Sequence, residues 1–156
     1  MNIYLAAPIV NIPEDWKDKI QEVKNQLSKI EDCNVYDPRE HGVPNAWGMS
    51  MSEWSHCIFT MDVLALDDAD WVVVCDFGRD CTAGTAWEAG YAFGKGKKVL
   101  IVRMCDNSQH YSVMMNGCCA NYVSYSSLML IEKGSLFKTY FVEQGRAAGT
   151  NDVMFD

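Results

Sequence analysis

The stretch ADWVVVCDFGRDCTAGTAWEAGYAFGKGKKVLIV, residues 69–102, decides the fold of this chain. Its first apolar run, residues 71–75, is typical of a strand that is covered on both faces. A loop with Gly and Asp follows, and the next segment predicts a helix over residues 84–94. A second buried strand is predicted at residues 99–102. A strand, a helix and a strand in this order indicate two parallel strands joined by a crossover helix.

The N-terminal segment begins the same alternation. A strand is predicted at residues 3–7, and Asn11 is placed to cap a helix that has Pro13 in its first turn. The apolar side chains of this helix recur at spacings of three and four, which indicates one buried stripe. They are Ile12, Trp16, Ile20, Val23, Leu27 and Ile30.

The remaining elements extend the pattern in both directions. Before the central stretch we predict a weak strand at 35–36, a long loop over 37–50 and a helix marked by Trp54, Ile58, Met61 and Ala65. After it we predict a short helix near 109–116, a strand near 122 and a last helix near 126–133. We therefore expect one α/β domain over residues 1–156, with 134–156 as a C-terminal tail. Its core is a doubly wound, mainly parallel five-stranded sheet with helices on both faces, of the Rossmann or flavodoxin type.

Composition and charge exclude several functional classes. The chain has 156 residues, with 13 Lys and Arg against 21 Asp and Glu, and its net charge is −8. Such a surface repels a phosphate backbone, so we expect no nucleic-acid partner but a small molecule. No apolar run is long enough for a membrane span, and no secretion signal is visible. The seven cysteines form no C-x-x-C pair, which favours reduced, buried thiols and a cytoplasmic location. The three histidines lie far apart in the sequence, so no zinc site is expected.

Three side chains are candidates for chemistry at the ligand-binding edge of such a sheet. Glu88 is the only charged residue in the apolar segment 86–93, so we expect a helix that is buried all round with one carboxylate inside it. An unpaired buried carboxylate is costly, and Glu88 is therefore either paired or functional. Asp62 is either a half-exposed helix acid or a second carboxylate of the site. The hydroxyl of Tyr4 is able to hold Glu88 through a hydrogen bond, or its ring is merely packed.

Five segments resemble the nucleoside 2-deoxyribosyltransferase family. They are IYLAAP at 3–8, DPRE at 37–40, residues 54–62, Ala69-Asp70 and GTAWEAGYAFGK at 84–95, in the family's order from residue 3 to about 123. The resemblance implies that Glu88 is the nucleophile, that Asp62 exchanges a proton with the nucleobase, and that Tyr4 orients the nucleophile. It implies no metal or organic cofactor. It also implies a homo-oligomer (dimer, tetramer or hexamer) with shared active sites.

Further candidate binding residues come from the residue types themselves, and others from the resemblance and its departures. Backbone donors at Gly84 and the ring of Trp54, or of Trp47, are candidate contacts to the substrate. His41 occupies the base-facing loop, where the transferases usually carry an amide. Ser112 and Met114 stand where the transferases have an Asn-x-Met segment that serves a neighbouring subunit.

The position six residues before the nucleophile separates two substrate classes. The transferases usually carry an Asp there for the sugar's 5′-hydroxyl, whereas this chain has Thr82, with Asp80 two residues earlier. Hydroxyl residues like Thr82 and Ser112 resemble the related 2′-deoxynucleoside 5′-monophosphate N-glycosidases, because a hydroxyl donates to a phosphate that a carboxylate would repel. We expect a deoxyribosyl transferase first and such a monophosphate hydrolase as the alternative. A catalytically inactive nucleotide-binding protein is the alternative of another class, and the presence of Tyr4, Asp62 and Glu88 together argues against it.

Overall fold

The computed structural model describes residues 1–78, 83–105, 111–119 and 121–131, and in them strands alternate with helices. The elements are β1 (Asn2–Ala6), α1 (Glu14–Leu27), β2 (Asn34–Tyr36), α2 (Met51–Asp68), β3 (Trp71–Asp76), α3 (Ala83–Gly94), β4 (Lys98–Arg103), α4 (Val113–Cys118), β5 (Asn121–Ser124) and α5 (Tyr125–Met129). The predicted long loop between β2 and α2 contains two single turns of 3-10 helix, Pro38–Glu40 and Ala46–Gly48.

The strands form one parallel sheet in the order β2-β1-β3-β4-β5. The predicted α/β fold with a five-stranded parallel sheet is therefore confirmed. β1 has β2 on one side and β3 on the other, so the chain reverses its direction of winding beside β1. Ligands of such sheets bind beyond the carboxyl ends of the strands at this reversal. The ends of β1 and β3, and the start of α3, lie there.

Helices cover both faces of the sheet, and alternate strand residues supply the two halves of the core. Ile3 and Leu5 point to the face that is covered by α1 and α5. Tyr4 and Ala6 point to the opposite face, where buried residues of α2, α3 and α4 meet them. These helix residues are Leu66, Ala89, Ala92 and Met115. Tyr4 thus faces the helix that carries Glu88.

The first helix begins later than the sequence suggests. The expected cap Asn11 has a φ of 56°, in the left-handed region, and Pro13 takes the N-cap position without a side-chain cap bond. The prediction that Asn11 caps this helix was wrong, because the chain turns at Asn11, a residue type that tolerates this conformation. The predicted stripe is otherwise found, with Ile20, Val23 and Leu27 buried.

The C-terminal elements are shorter than predicted where the structure describes them. The helix expected near 109–116 is α4, which begins at Val113 because the Ser112 hydroxyl accepts the Met115 backbone N–H. The strand near Tyr122 is β5, and the last helix ends at Met129. The expected tail, 134–156, lies outside the described residues.

The helix α3 is not buried all round, contrary to the expectation from its composition. Its buried residues are Thr85, Ala89 and Ala92, which lie three and four positions apart on the face that meets the sheet. Trp87 is 46% exposed and Phe93 58% exposed, because both lie away from the face of α3 that meets the sheet. Glu88 is partly buried, between the two faces.

The described part of the chain carries thiols on several elements. Of the six cysteines in these segments, Cys75 is buried and the other five are partly exposed, so the expectation of buried thiols holds for one of them. None of the helices in these segments is long and apolar enough to cross a membrane. The same segments contain no cluster of three His, Cys, Asp or Glu side chains that could hold a metal ion.

Candidate active site

The centre of the site is a hydrogen bond between β1 and α3. The Tyr4 hydroxyl donates to Oε1 of Glu88 over 2.7 Å. Tyr4 is fully buried as the third residue of β1, and Glu88 is the sixth of the twelve residues of α3, so the sheet and the helix packed on it position both groups. Of the two possibilities that the sequence left open for Tyr4, the hydrogen bond is the one observed.

Burial controls the ionisation of Glu88. It raises the pKa of the carboxyl to about 7, the Tyr4 hydrogen bond lowers this pKa, and the negative charge of Asp62 raises it. The pKa of Tyr4 is raised far above its usual value by burial and by Glu88, so the phenol stays a proton donor. The site therefore presents an anion that is weakly solvated and held by one donor, which are the properties of an activated carboxylate nucleophile.

Removal of the Tyr4 hydroxyl should change the pH dependence of turnover. In Tyr4→Phe the anionic form of Glu88 loses the donor that lowers its pKa, so the acidic limb of the kcat/KM profile is expected to move to higher pH. A charge-assisted hydrogen bond contributes about 1.5–3 kcal/mol. We therefore expect kcat/KM to fall by roughly tenfold or more at pH values below the midpoint of the acidic limb. The profile measured from about pH 5 to pH 9 tests this. An unshifted limb would show that Tyr4 does not act on Glu88.

Asp62 supplies the second carboxylate of the site. It lies in the middle of α2 and accepts a hydrogen bond from the Tyr36 hydroxyl over 3.4 Å. Burial raises the pKa of Asp62, whereas the Tyr36 hydrogen bond and the nearby His41 lower it. A carboxyl whose pKa is raised keeps its proton to a higher pH, and it can then act as a general acid toward a leaving group.

The two carboxylates line one cleft of about 450 Å³, a volume within the range of small-molecule sites. Trp54, Ile58, Phe59 and Trp87 form its apolar wall. The rings of Phe59 and Trp87 are 5.4 Å apart, and both side chains are about half exposed. An exposed aromatic wall beside two carboxylates suits a flat heteroaromatic ring linked to a polar group.

The structure brings together some of the other predicted residues and not all of them. Gly84 and Trp54 line the cleft. His41 stacks on Tyr36 at 4.3 Å with an interplanar angle of 4°, so it reaches Asp62 from the side of β2.

Three further predicted residues do not belong to this cleft. Trp47 is fully exposed and lines a neighbouring cavity of about 370 Å³ that shares Trp54. Ser112 caps α4, and Met114 is 82% exposed on that helix; neither lines the cleft. Asp80 and Thr82 lie outside the described residues.

Sequence reasoning missed several residues of the site, among them Phe59, Trp87 and Tyr36. Phe59 and Trp87 meet only because α2 and α3 pack side by side, but Phe59 precedes Asp62 by three positions on one helix, and that spacing was a usable signal. Tyr36 was interpreted only as part of a weak strand. It is the register partner of Tyr4 across β1 and β2, a pairing that the sequence does not reveal.

Comparisons with known proteins identify a family and several similar structures. The family model described as nucleoside 2-deoxyribosyltransferase matches residues 3–130. Among solved structures, the 2-deoxyribosyltransferase of the psychrotolerant bacterium Bacillus psychrosaccharolyticus is 25% identical with a TM-score of 0.63, and the alignment covers 85% of this chain and 93% of that one. No curated protein matches the chain significantly.

Two more distant structures share the fold. A conserved protein from Enterococcus faecalis V583 is 20% identical with a TM-score of 0.62, over 94% of this chain and 98% of that one. The CMP N-glycosidase of Clostridium botulinum is 20% identical with a TM-score of 0.57, over 92% and 96%. The family match supports deoxyribosyl transfer, with nucleosides and nucleobases as small-molecule substrates. Because the family model covers most of the sequence, the chain belongs to the nucleoside 2-deoxyribosyltransferase family.

Proposed function

We propose that this protein cleaves the N-glycosidic bond of 2′-deoxynucleosides through a covalent deoxyribosyl–Glu88 intermediate and transfers the sugar to another nucleobase or to water. The observation that carries the proposal is the Glu88 carboxyl, held by Tyr4 over 2.7 Å, in one aromatic cleft with Asp62. A nucleophile, an acid and a stacking wall are the parts that displacement of a nucleobase requires.

In the first half-reaction an oxygen of Glu88 attacks the anomeric carbon of the deoxyribose. The bond between this carbon and the base nitrogen breaks, its electron pair stays on the base, and Asp62 donates the proton that neutralises the base. Tyr4 holds Oε1 of Glu88, so the carboxylate is oriented before it reacts. The products of this step are free base and a deoxyribosyl ester of Glu88.

In the second half-reaction an acceptor attacks the same carbon. The nitrogen of an incoming base, or a water oxygen, forms the new bond while the ester bond to Glu88 breaks. Asp62, now ionised, takes the proton from the acceptor, and Glu88 is restored as the carboxylate. Two displacements at one carbon retain its configuration, as in retaining glycosidases.

A 2′-deoxynucleoside 5′-monophosphate N-glycosidase is the second candidate. It is favoured by Thr82, a neutral hydroxyl residue at the position where the transferases of this family usually carry an Asp. Such an enzyme would release free base and deoxyribose 5-phosphate. The same Glu88, Asp62 and Tyr4 serve both reactions, and only the contact to the 5′ end of the sugar differs.

Thr82→Asp should shift the substrate preference toward nucleosides. A carboxylate repels the 5′-phosphate and accepts a hydrogen bond from a 5′-hydroxyl. We expect the ratio of kcat/KM for nucleoside over monophosphate to rise by at least about tenfold, the equivalent of one lost charge-assisted hydrogen bond. The ratio measured for one base with both sugars tests this, with Thr60→Asp on α2 as the matched control. An unchanged ratio would remove Thr82 from the 5′ end of the site.

We further propose a cytoplasmic homo-oligomer (dimer, tetramer or hexamer) in which Ser112 and Met114 of one subunit help to close a neighbour's site. Large apolar side chains exposed on one side of the single chain support this. They include Phe59, Leu64, Phe93, Val113 and Met114. A monomeric protein rarely exposes so many large apolar residues without a partner.

One chromatographic assay with two substrate mixtures tests the function. The first mixture holds deoxyuridine and free adenine, and the second holds deoxynucleoside 5′-monophosphates alone. Deoxyadenosine formed in the first establishes the transferase. Free base and deoxyribose 5-phosphate formed only in the second establish the hydrolase. No product in either mixture would refute both reactions.

A further inference from the structure

Two tyrosines on neighbouring strands hold two carboxylates on neighbouring helices. Tyr4 and Tyr36 are register partners in β1 and β2, and their rings stack at 5.5 Å with an interplanar angle of 17°. Tyr4 donates to Glu88 on α3 over 2.7 Å, and Tyr36 donates to Asp62 on α2 over 3.4 Å. The hydroxyl of Tyr36 therefore faces Asp62 as that of Tyr4 faces Glu88, over a distance that is 0.7 Å longer.

The environment keeps Tyr36 in place as a donor. Its ring stacks on Tyr4 and also on His41, at 4.3 Å and 4°. Burial and the charge of Asp62 raise the pKa of Tyr36 to about 12, so its phenol is protonated over the whole physiological range. It can give a hydrogen bond to Asp62 but cannot supply the proton of the reaction itself.

We propose that Tyr36 is a positioning residue for the proton exchange with the nucleobase: its hydroxyl holds Oδ1 of Asp62 and leaves the other carboxylate oxygen for the cleft. This inference rests on the proposed function, because Asp62 exchanges a proton with the base only in that reaction. Within the described residues, the titratable groups that act on Asp62 are Tyr36 and His41 from the β2 side, Tyr4 from β1 and Glu88 from α3.

The direction of the effect follows from the type of hydrogen bond. A donor to a carboxylate favours the ionised form, so the Tyr36 hydrogen bond lowers the pKa of Asp62 against the effect of burial. Loss of this donor leaves Asp62 protonated to a higher pH and free to rotate. The exchange with the base then has a less defined geometry.

The test compares Tyr36→Phe with the wild type in the full chain. The substitution keeps the ring that stacks on Tyr4 and His41 and removes one oxygen. Tyr125→Phe is the matched control, because its hydroxyl bonds Glu22 and its ring packs on the opposite face of the sheet. The first readout is the titration of the Asp62 side-chain carbon by NMR, assigned with Asp62→Asn, which needs no substrate.

In Tyr36→Phe we expect the midpoint of the Asp62 titration to rise by about half a pH unit or more, the effect of losing one ordinary hydrogen bond. We also expect kcat to fall about fivefold with little change in KM, and to fall less for a nucleoside whose leaving base is more acidic. Tyr125→Phe should match the wild type in all three measurements.

An Asp62 titration with the same midpoint in Tyr36→Phe and wild type would overturn the inference. A loss of kcat that is equal for all leaving bases would overturn it as well, because a merely structural role lowers kcat by the same factor for every substrate. A wild type that turns over no nucleoside or nucleotide refutes the proposed function instead, and the substrate-free titration distinguishes that failure from a failure of the Tyr36–Asp62 pair.

Discussion

Glu88→Ala and Glu88→Gln are expected to lower the rate of N-glycosidic bond cleavage by at least about a thousandfold, because both remove the carboxylate that forms the covalent bond to the sugar. Neither change removes a side chain of the core, so both variants should fold. Product formation is measured by chromatography. The mass of the intact protein, incubated with nucleoside without an acceptor, should increase by one deoxyribosyl group in the wild type and stay unchanged in both variants.

The stability of Glu88→Gln provides an internal check on the buried charge. The pKa of Glu88 is raised from 4.5 to about 7, so the folded state binds the proton more tightly than the unfolded state. The wild type therefore loses stability as the pH rises from 4.5 to about 7, by roughly 3 kcal/mol at most. Glu88→Gln lacks this loss and should be the more stable protein above pH 7 in urea unfolding. Glu31→Gln, at an exposed position after α1, should behave like the wild type in this unfolding experiment.

Full activity in Glu88→Gln would refute the assignment of Glu88 as the nucleophile.

Asp62→Asn should produce the second largest loss. An amide keeps the shape of the side chain but exchanges no proton, and general acid–base catalysis contributes about 100-fold to 10,000-fold. We expect a loss of at least about 100-fold in kcat for nucleosides with ordinary bases. The same loss is expected in the transfer step, where Asp62 accepts the proton of the incoming base.

The leaving group identifies the role of Asp62. A more acidic nucleobase leaves with less need of protonation. The turnover of Asp62→Asn should therefore approach that of the wild type on a nucleoside with such a base, whereas the turnover of Glu88→Gln should stay low. Asp18→Asn, on the exposed side of α1, is the matched control. Equal losses for all leaving bases would assign Asp62 to binding rather than to proton exchange. Burst kinetics of base release separate the two half-reactions.

Local pattern was sufficient to predict the fold. The apolar runs at β3 and β4 are long, bounded by loops and separated by one helix, so only a parallel crossover accommodates them. Elements at the ends of the pattern were less well defined. The start of α1 depends on the backbone conformation of Asn11, and the start of α4 depends on a cap by Ser112. The observed starts of these helices therefore differ from the predicted ones by a few residues.

The candidate site was predicted in part. A lone carboxylate in an apolar helix identified Glu88, since burying such a group is costly unless it is used. The partner of that carboxylate was open until the structure showed the Tyr4 hydroxyl at 2.7 Å. The prediction for α3 as a whole was wrong. Its composition suggested that the helix is buried on all sides, but a helix on one face of a sheet buries only the side that meets the strands.

The sequence by itself determined the α/β class and the order of its elements, and it singled out Glu88, because each of these follows from local periodicity or from a polar residue in an apolar segment. Tyr4 and Asp62 became candidates with a role only through the resemblance to the family. Tertiary structure alone decided which groups meet: Tyr4 with Glu88, Tyr36 with Asp62, and Phe59 with Trp87. The physical reason is that these contacts join residues 84, 26 and 28 positions apart. Such distances are set by strand register and helix packing, which depend on the whole core and not on any one segment.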